Sequence, residues 1–175
     1  MEKIAVYAGT FDPPTLGHED MIKRAASLYD KLYVALMVNP GKKPIFSAQQ
    51  RIKMLKKITE DFPNVEVESF DGLTAEFAYI KKAHTLVRGI RDEKDSAYEA
   101  HMAKRNEQLA QELFNHKLET VFLDTTLEYA DTSSSYVKSL LSINEFDKAA
   151  KHLDPRIAEE IVEIYRGKSI IPANY

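Results

Sequence analysis

The stretch that most restricts what this chain can fold into lies at its beginning. An apolar run, Ile4 to Ala8, stops at Gly9, passes through Pro13-Pro14, and resumes as an amphipathic helix near Gly17-His18. The run reads as a buried strand. A strand, a glycine turn and a helix start, in that order, make a place for an anion. N–H groups of a first helical turn lack partners within the helix, and the helix dipole favours negative charge there. Gly9 lets the backbone turn tightly and approach a ligand without a Cβ in the way. Thr10 offers a hydroxyl at the C-terminal end of the strand, where open α/β sheets bind ligands. His18, in the first helical turn, sets its imidazole beside any phosphate held there. The sequence contains neither a P-loop nor a G-x-G-x-x-G fingerprint. The plainer reading is a βα turn whose Gly and Pro serve geometry and whose His caps nothing.

Strand-like and helix-like segments then alternate, which predicts an α/β fold: a Rossmann-like, doubly wound five-stranded parallel sheet with helices on both faces and a helical C-terminal part. Met21, Ile22, Ala25, Ala26, Leu28 and Tyr29 fall on one helical stripe, followed by a strand over 31–38 and an Asn39-Pro40-Gly41 turn. Ser47 reads as the N-cap of a helix carrying Ile52, Leu55 and Ile58 inward. A third strand covers 65–70, and Leu73, Phe77 and Ile80 line the next helix. The fourth strand, 85–88, runs into Gly89. A long helix over 95–114 carries Tyr98, Met102, Leu109 and Leu113 on its apolar side, and 118–123 makes the fifth strand. Asp131 to Ser133 cap a helix over 134–141. Residues 155–165 read as helical and 169–175 as an extended tail. A single domain over 1–175 is expected, with its core in 1–141 and a helical C-terminal part and tail over 142–175.

Charge narrows the function. Lys and Arg total 24 against 27 Asp and Glu, a net charge of −3, so neither nucleic acid nor a membrane is an expected partner. Cysteine is absent, which excludes thiol chemistry. Residues 1–8 are too short for a signal peptide and no 18-residue apolar run occurs, so a cytoplasmic location is expected. An acidic chain that handles phosphates must gather positive charge locally. In a parallel sheet the loops after each strand share one edge. They bring Lys42-Lys43-Pro44, Gly72-Leu73-Thr74, Arg88-Gly89-Ile90-Arg91 and Tyr129 to Ser135 to the side of Gly9–His18. That convergence fits a nucleoside triphosphate with a second phosphate. His84, His101, His116 and His152 show no metal-ligand spacing.

The run Gly9-Thr10-Phe11-Asp12-Pro13 with Gly17-His18 resembles the signature of the nucleotidyltransferases. Together with Lys42-Lys43-Pro44, Gly72-Leu73, Arg88 to Arg91, Asp95, Tyr98-Glu99 and Ser133-Ser134-Ser135, the chain resembles the bacterial phosphopantetheine adenylyltransferases over 1–141 and more weakly beyond. The resemblance implies adenylyl transfer from ATP to 4′-phosphopantetheine, giving dephospho-coenzyme A and pyrophosphate in coenzyme A synthesis. It implies catalytic roles for His18, Thr10 and Lys42, and acceptor contacts from Thr10, Lys42, Thr74 and Arg88. Thr10, Phe11, His18, Gly89, Ile90, Arg91, Glu99, Tyr129, Ala130, Asp131, Thr132, Ser133, Ser134 and Ser135 would form the ATP site. Mg²⁺ would be the cofactor, carried by ATP with no protein metal site. The partners would be the two substrates and further copies of the chain, a hexamer in the family.

Departures from the family pattern are also present. Ala8 stands where Pro is usual, and Thr132 where Ile is common. Pro14 and Leu16 lean toward nicotinate-nucleotide adenylyltransferases. Asp92-Glu93-Lys94 and Ser96-Ala97 replace a more apolar stretch, and the helix near 107–117 is about one turn longer. The alternatives are a related nucleotidyltransferase with another acceptor, such as nicotinate mononucleotide, and a non-catalytic nucleotide-binding module. Nothing in the sequence reads as an activated nucleophile. In the implied reaction none is needed, because the acceptor phosphate attacks.

Overall fold

The computed structural model describes residues 1–38, 41 and 43–169. Asn39 and Pro40 of the expected turn, Lys42, and residues 170–175 of the expected tail lie outside the described residues; Ser169 ends a helix. Five parallel strands form one sheet: β1 (Ile4–Gly9), β2 (Lys31–Met37), β3 (Val65–Phe70), β4 (Thr85–Ile90) and β5 (Glu119–Asp124), in the order β3-β2-β1-β4-β5. Between and after them run α1 (Leu16–Leu28), α2 (Ala48–Ile58), α3 (Thr74–Ile80), α4 (Glu93–Phe114), α5 (Ser134–Ser142), α6 (Phe146–Ala150) and α7 (Pro155–Ser169). The expected Rossmann-like sheet is present.

Period-two alternation divides the core along β1. Ala5 and Tyr7 pack with Leu32, Val34, Leu36 and Val87 against α1, α2, α5 and the C-terminal helices, where Ile22, Leu55, Leu141, Ile157 and Ile161 are buried. Val6 and Ala8 face the other way, with Leu86, toward Phe77 and Ala78 of α3 and Ala110 of α4. Ser47 caps α2 and Gln50 closes the capping box, as the sequence predicts for Ser47. At its far end α4 stops where Asn115 turns left-handed (φ 49°).

Three helix faces differ from expectation. Leu28 is exposed at the end of α1. Along α3, Leu73 and Ile80 are exposed, because this seven-residue helix turns only Ala75, Phe77 and Ala78 inward. Around α4 the stripe is displaced by one residue: Glu99, Ala103 and Ala110 are buried, whereas Tyr98 and Leu113 are exposed. The helical period was right and its phase wrong. Small side chains let α4 lie close to the sheet, and Glu99 has a partner there.

The C-terminal part joins the same core. Arg156 of α7 reaches Asp154 and Asp61 at 2.9 Å and Glu19 of α1 at 3.3 Å, and Ile157 is fully buried among sheet and helix side chains. Ile157→Ala should therefore cost about 2–5 kcal/mol, with thermal unfolding still a single transition. A two-step melt, with the first step carrying the loss, would show that α7 unfolds apart from the sheet.

Candidate active site

The loop leaving β1 is built around a folded-back ring. Phe11 adopts φ 49°, and its buried side chain lies over Gly9 and meets Tyr7 and His18 edge-on, at centroid distances of 5.5 and 5.0 Å. A Cβ on Gly9 would sit 3.1 Å from that ring. The glycine thus makes room for Phe11. It does not supply a positive φ, contrary to its expected role as the tight-turning residue. Asp12 is buried and accepts the N–H groups of Ile45 and Phe46, each at 2.9 Å, with Lys138 Nζ at 3.4 Å. The Asp12–Pro13 peptide is cis, and the Ser134 hydroxyl donates to the Pro13 carbonyl at 2.7 Å.

Two helix starts meet here. Thr15 caps α1, accepting the His18 N–H, while the Thr15 N–H donates to His18 Nδ1 at 3.0 Å. His18 is therefore half of a capping box, so neither the plain reading nor the anion reading was complete. The carbonyl of His152 takes the Leu16 N–H at 3.0 Å. Two of the N–H groups expected to await an anion are thus occupied. Gly17 N–H remains without a protein acceptor among the described residues. A Cβ on Gly17 would lie 3.3 Å from the Thr132 carbonyl, which shows how closely α1 approaches the start of α5. Ser133 caps α5 through Tyr136 N–H at 3.1 Å, and the N–H groups of Ser134 and Ser135 likewise have no protein acceptor among the described residues.

With Nδ1 accepting a backbone N–H, the neutral imidazole carries its proton on Nε2. Burial, then the charges of Arg91 and Arg88, push His18 down to about 4. At neutral pH it is an uncharged donor. Tyr7 is pushed up to about 12, chiefly by burial, and stays a phenol.

A cavity of about 300 Å³ opens at these helix starts. Thr10, Phe11, His18, Arg88, Gly89, Arg91, Glu99 and Thr132 to Ser135 line it, as the sequence reading placed them. Ile90, Tyr129, Ala130 and Asp131 are not on its wall. Residues 127–129 form a single 3₁₀ turn, and Ile90, the last residue of β4, lines a separate surface hollow with Asp92, Glu93 and Ser96. Thr74 lines a second cavity of about 80 Å³, which shares Arg88 and Glu99 with the first. Lys42 lies outside the described residues.

Arg88 is gripped rather than free. Its Nε and Nη2 meet both oxygens of Glu99 at 2.6 and 2.8 Å, and Nη1 donates to the Ala8 carbonyl at 2.8 Å. Glu99, expected among the ATP contacts, is thus the buried partner of Arg88. Arg91 keeps half its side chain exposed, with Nε 3.7 Å from Asp95. Sequence reasoning missed Tyr7, Thr15, Met21, Asp95 and Thr125 on the wall. It also missed Arg51, whose signal was a charge at the head of the α2 stripe Met54, Leu55 and Ile58.

Comparison with known proteins agrees with this geometry. The Cytidylyltransferase-like family model matches residues 6–140. Phosphopantetheine adenylyltransferase of Caldanaerobacter subterraneus subsp. tengcongensis is 44% identical over 165 residues, covering 94% of this chain and 98% of that protein. The Nostoc punctiforme protein of the same name is 43% identical over 167 residues, covering 95% and 87%. In fold, Plasmodium falciparum nicotinic acid mononucleotide adenylyltransferase superposes with a TM-score of 0.68 over 97% of both chains at 14% identity. The chain belongs to the phosphopantetheine adenylyltransferase family, within the cytidylyltransferase-like proteins.

Proposed function

We propose that this protein transfers the adenylyl group of ATP to 4′-phosphopantetheine, giving dephospho-coenzyme A and pyrophosphate, a step of coenzyme A synthesis. The observation that carries the reading is one cavity lined together by the starts of α1 and α5, His18 and Arg91. The acceptor phosphate oxygen forms a bond to the α-phosphorus of ATP as the bond from that phosphorus to the departing pyrophosphate oxygen breaks in line. No protein nucleophile takes part, so the protein's work is positioning and neutralising charge.

In this reading Thr10 and His18 meet the α-phosphoryl oxygens, and His18 donates through Nε2. Arg91 and the Ser134 and Ser135 N–H groups hold the departing pyrophosphate. Arg88, kept in orientation by Glu99, takes the acceptor phosphate at the junction of the two cavities, with Thr74 on the acceptor side. Lys42 would orient both phosphates. Mg²⁺ fits here as a passenger of ATP, neutralising phosphate charge. Among the described residues no group of three or more His, Asp or Glu is placed to hold a metal, and Asp95 and Glu99 already face arginines.

Among the described residues no helix is long and apolar enough to cross a membrane, and we place the reaction in the cytoplasm. Exposed Tyr79, Ile80, Leu113, Val121 and Phe122 support a homo-oligomer.

Purified protein with Mg²⁺, ATP and 4′-phosphopantetheine should release pyrophosphate and form dephospho-coenzyme A. Turnover of nicotinate mononucleotide in its place would overturn the acceptor. His18→Ala should lower kcat by about 10²–10³-fold, the typical loss for one donor to a developing oxyanion, with a smaller change in ATP affinity. Collapse of ATP binding with kcat intact would make His18 a binding residue only.

The pH behaviour of His18 follows from its surroundings. Nitrogen NMR of the free protein should find it neutral and Nε2-protonated through pH 6.5, charging only near 4. Its folded value lies below the ordinary 6.5, so the unfolded chain takes up a proton that the folded chain refuses. Wild type should thus lose stability relative to His18→Gln as pH falls from 6.5 toward 4. Protonation near 6.5 in the NMR titration would contradict the donor assignment.

A further inference from the structure

One buried charge behind the β1 loop has no part in the mechanism above. Arg51 of α2 is 3% exposed and forms no ion pair among the described residues. Its Nη1 donates to the Thr10 carbonyl at 2.7 Å and its Nε to the Phe46 carbonyl at 3.0 Å. From the opposite direction Asp12 accepts the Ile45 and Phe46 N–H groups. The segment entering α2 and the loop leaving β1 are therefore locked together by both members of an oppositely charged couple. Burying a guanidinium to satisfy neutral carbonyls carries a large desolvation cost. An apolar side chain would continue the Met54, Leu55 and Ile58 stripe but would leave the Thr10 and Phe46 carbonyls without this donor, so what the arginine adds to packing is its hold on these two carbonyls.

The peptide between Thr10 and Phe11 shows what the grip accomplishes. In a trans peptide the carbonyl and the following N–H point in opposite directions. Holding the Thr10 carbonyl back toward α2 sends the Phe11 N–H away from α2, on the side where Thr10 and Phe11 line the large cavity. That N–H has no acceptor among the described residues. The left-handed φ of Phe11 and its ring over Gly9 fix the rest of the turn.

We propose that Arg51 is a positioning residue for nucleotidyl transfer: by holding the Thr10 carbonyl it aims the Phe11 N–H at a phosphate of the bound nucleotide. The proposal rests on the reading of this cavity as the ATP site and is independent of the acceptor.

The test compares Arg51→Met and Arg51→Lys with Ile58→Ala, a cavity at the opposite end of the same helix, at a temperature where all three are folded. Expected is a fall in kcat of about 10²-fold for Arg51→Met, the scale of a small misplacement of reacting groups. A smaller loss is expected for Arg51→Lys, whose single ammonium cannot span both carbonyls. KM for the acceptor should hold, and Ile58→Ala should keep the wild-type kcat. The Phe11 amide resonance should shift on adding ATP to wild type and not to Arg51→Met. Should Arg51→Met fail to fold, Arg51→Lys carries both readouts. Wild-type kcat and an unaltered Phe11 response in the Arg51 variants, with stability lost as in Ile58→Ala, would overturn the proposal. Wild type that shows the Arg51-dependent Phe11 shift yet does not turn over 4′-phosphopantetheine would instead overturn the acceptor assignment and leave Arg51 in place.

Discussion

The site depends on where the chain changes direction across the sheet. After β1 it builds outward through β2 and β3 on one side, then crosses back to place β4 and β5 on the other. All five strands are parallel, so every loop that follows a strand leaves from one edge. At β1 the loops to either side diverge and open a crevice. The first loop therefore lies at the centre of the crevice, and those after β4 and β5 close on it. The approach of Gly17 to Thr132 marks how tightly they do so.

Within that crevice charge is rationed. Arg88 comes with Glu99, and Arg91 with Asp95, so both arginines of the cavity wall carry a carboxylate partner. His18 adds a donor without adding a charge. Its Nδ1 is occupied by the helix cap, which settles the tautomer before any ligand arrives, and the nearby guanidinium groups disfavour protonation. A preorganised neutral donor of this kind needs no reorientation as charge develops opposite it. The same side chain thus caps a helix through Nδ1 and lines the cavity, with Nε2 left free of the cap.

Much of this was legible in the sequence. Strands announced themselves through apolar runs closed by glycine or an abrupt change of pattern, and β3 was readable to the residue. The order of helix and strand left few topologies once crossovers are right-handed. Most of the cavity wall followed from the shared edge. What was not legible depended on long-range partners. Glu99 was placed among the ATP contacts, because its reason for burial, an arginine on another element, is not displayed by its own helix. The same blindness displaced the face of α4 by one residue: periodicity fixes the spacing of a stripe, whereas the large apolar residues suggested the wrong phase. Arg51 and Asp12 work through backbone groups, which no residue pattern displays. Gly9 was credited with conformational freedom when the left-handed residue is Phe11, two positions on.

The carbonyl of His152 on the Leu16 N–H has a consequence for how the protein comes into being. On the ribosome the β1 loop is made well before the carbonyl of His152 that takes the Leu16 N–H. At ordinary synthesis rates the interval is on the order of ten seconds. During that time the nascent chain holds the loop sequence without the finished helix start, and with β1 not yet flanked by β4. A chain released short of residue 152 lacks the carbonyl that takes the Leu16 N–H, so the start of α1 is left one acceptor short.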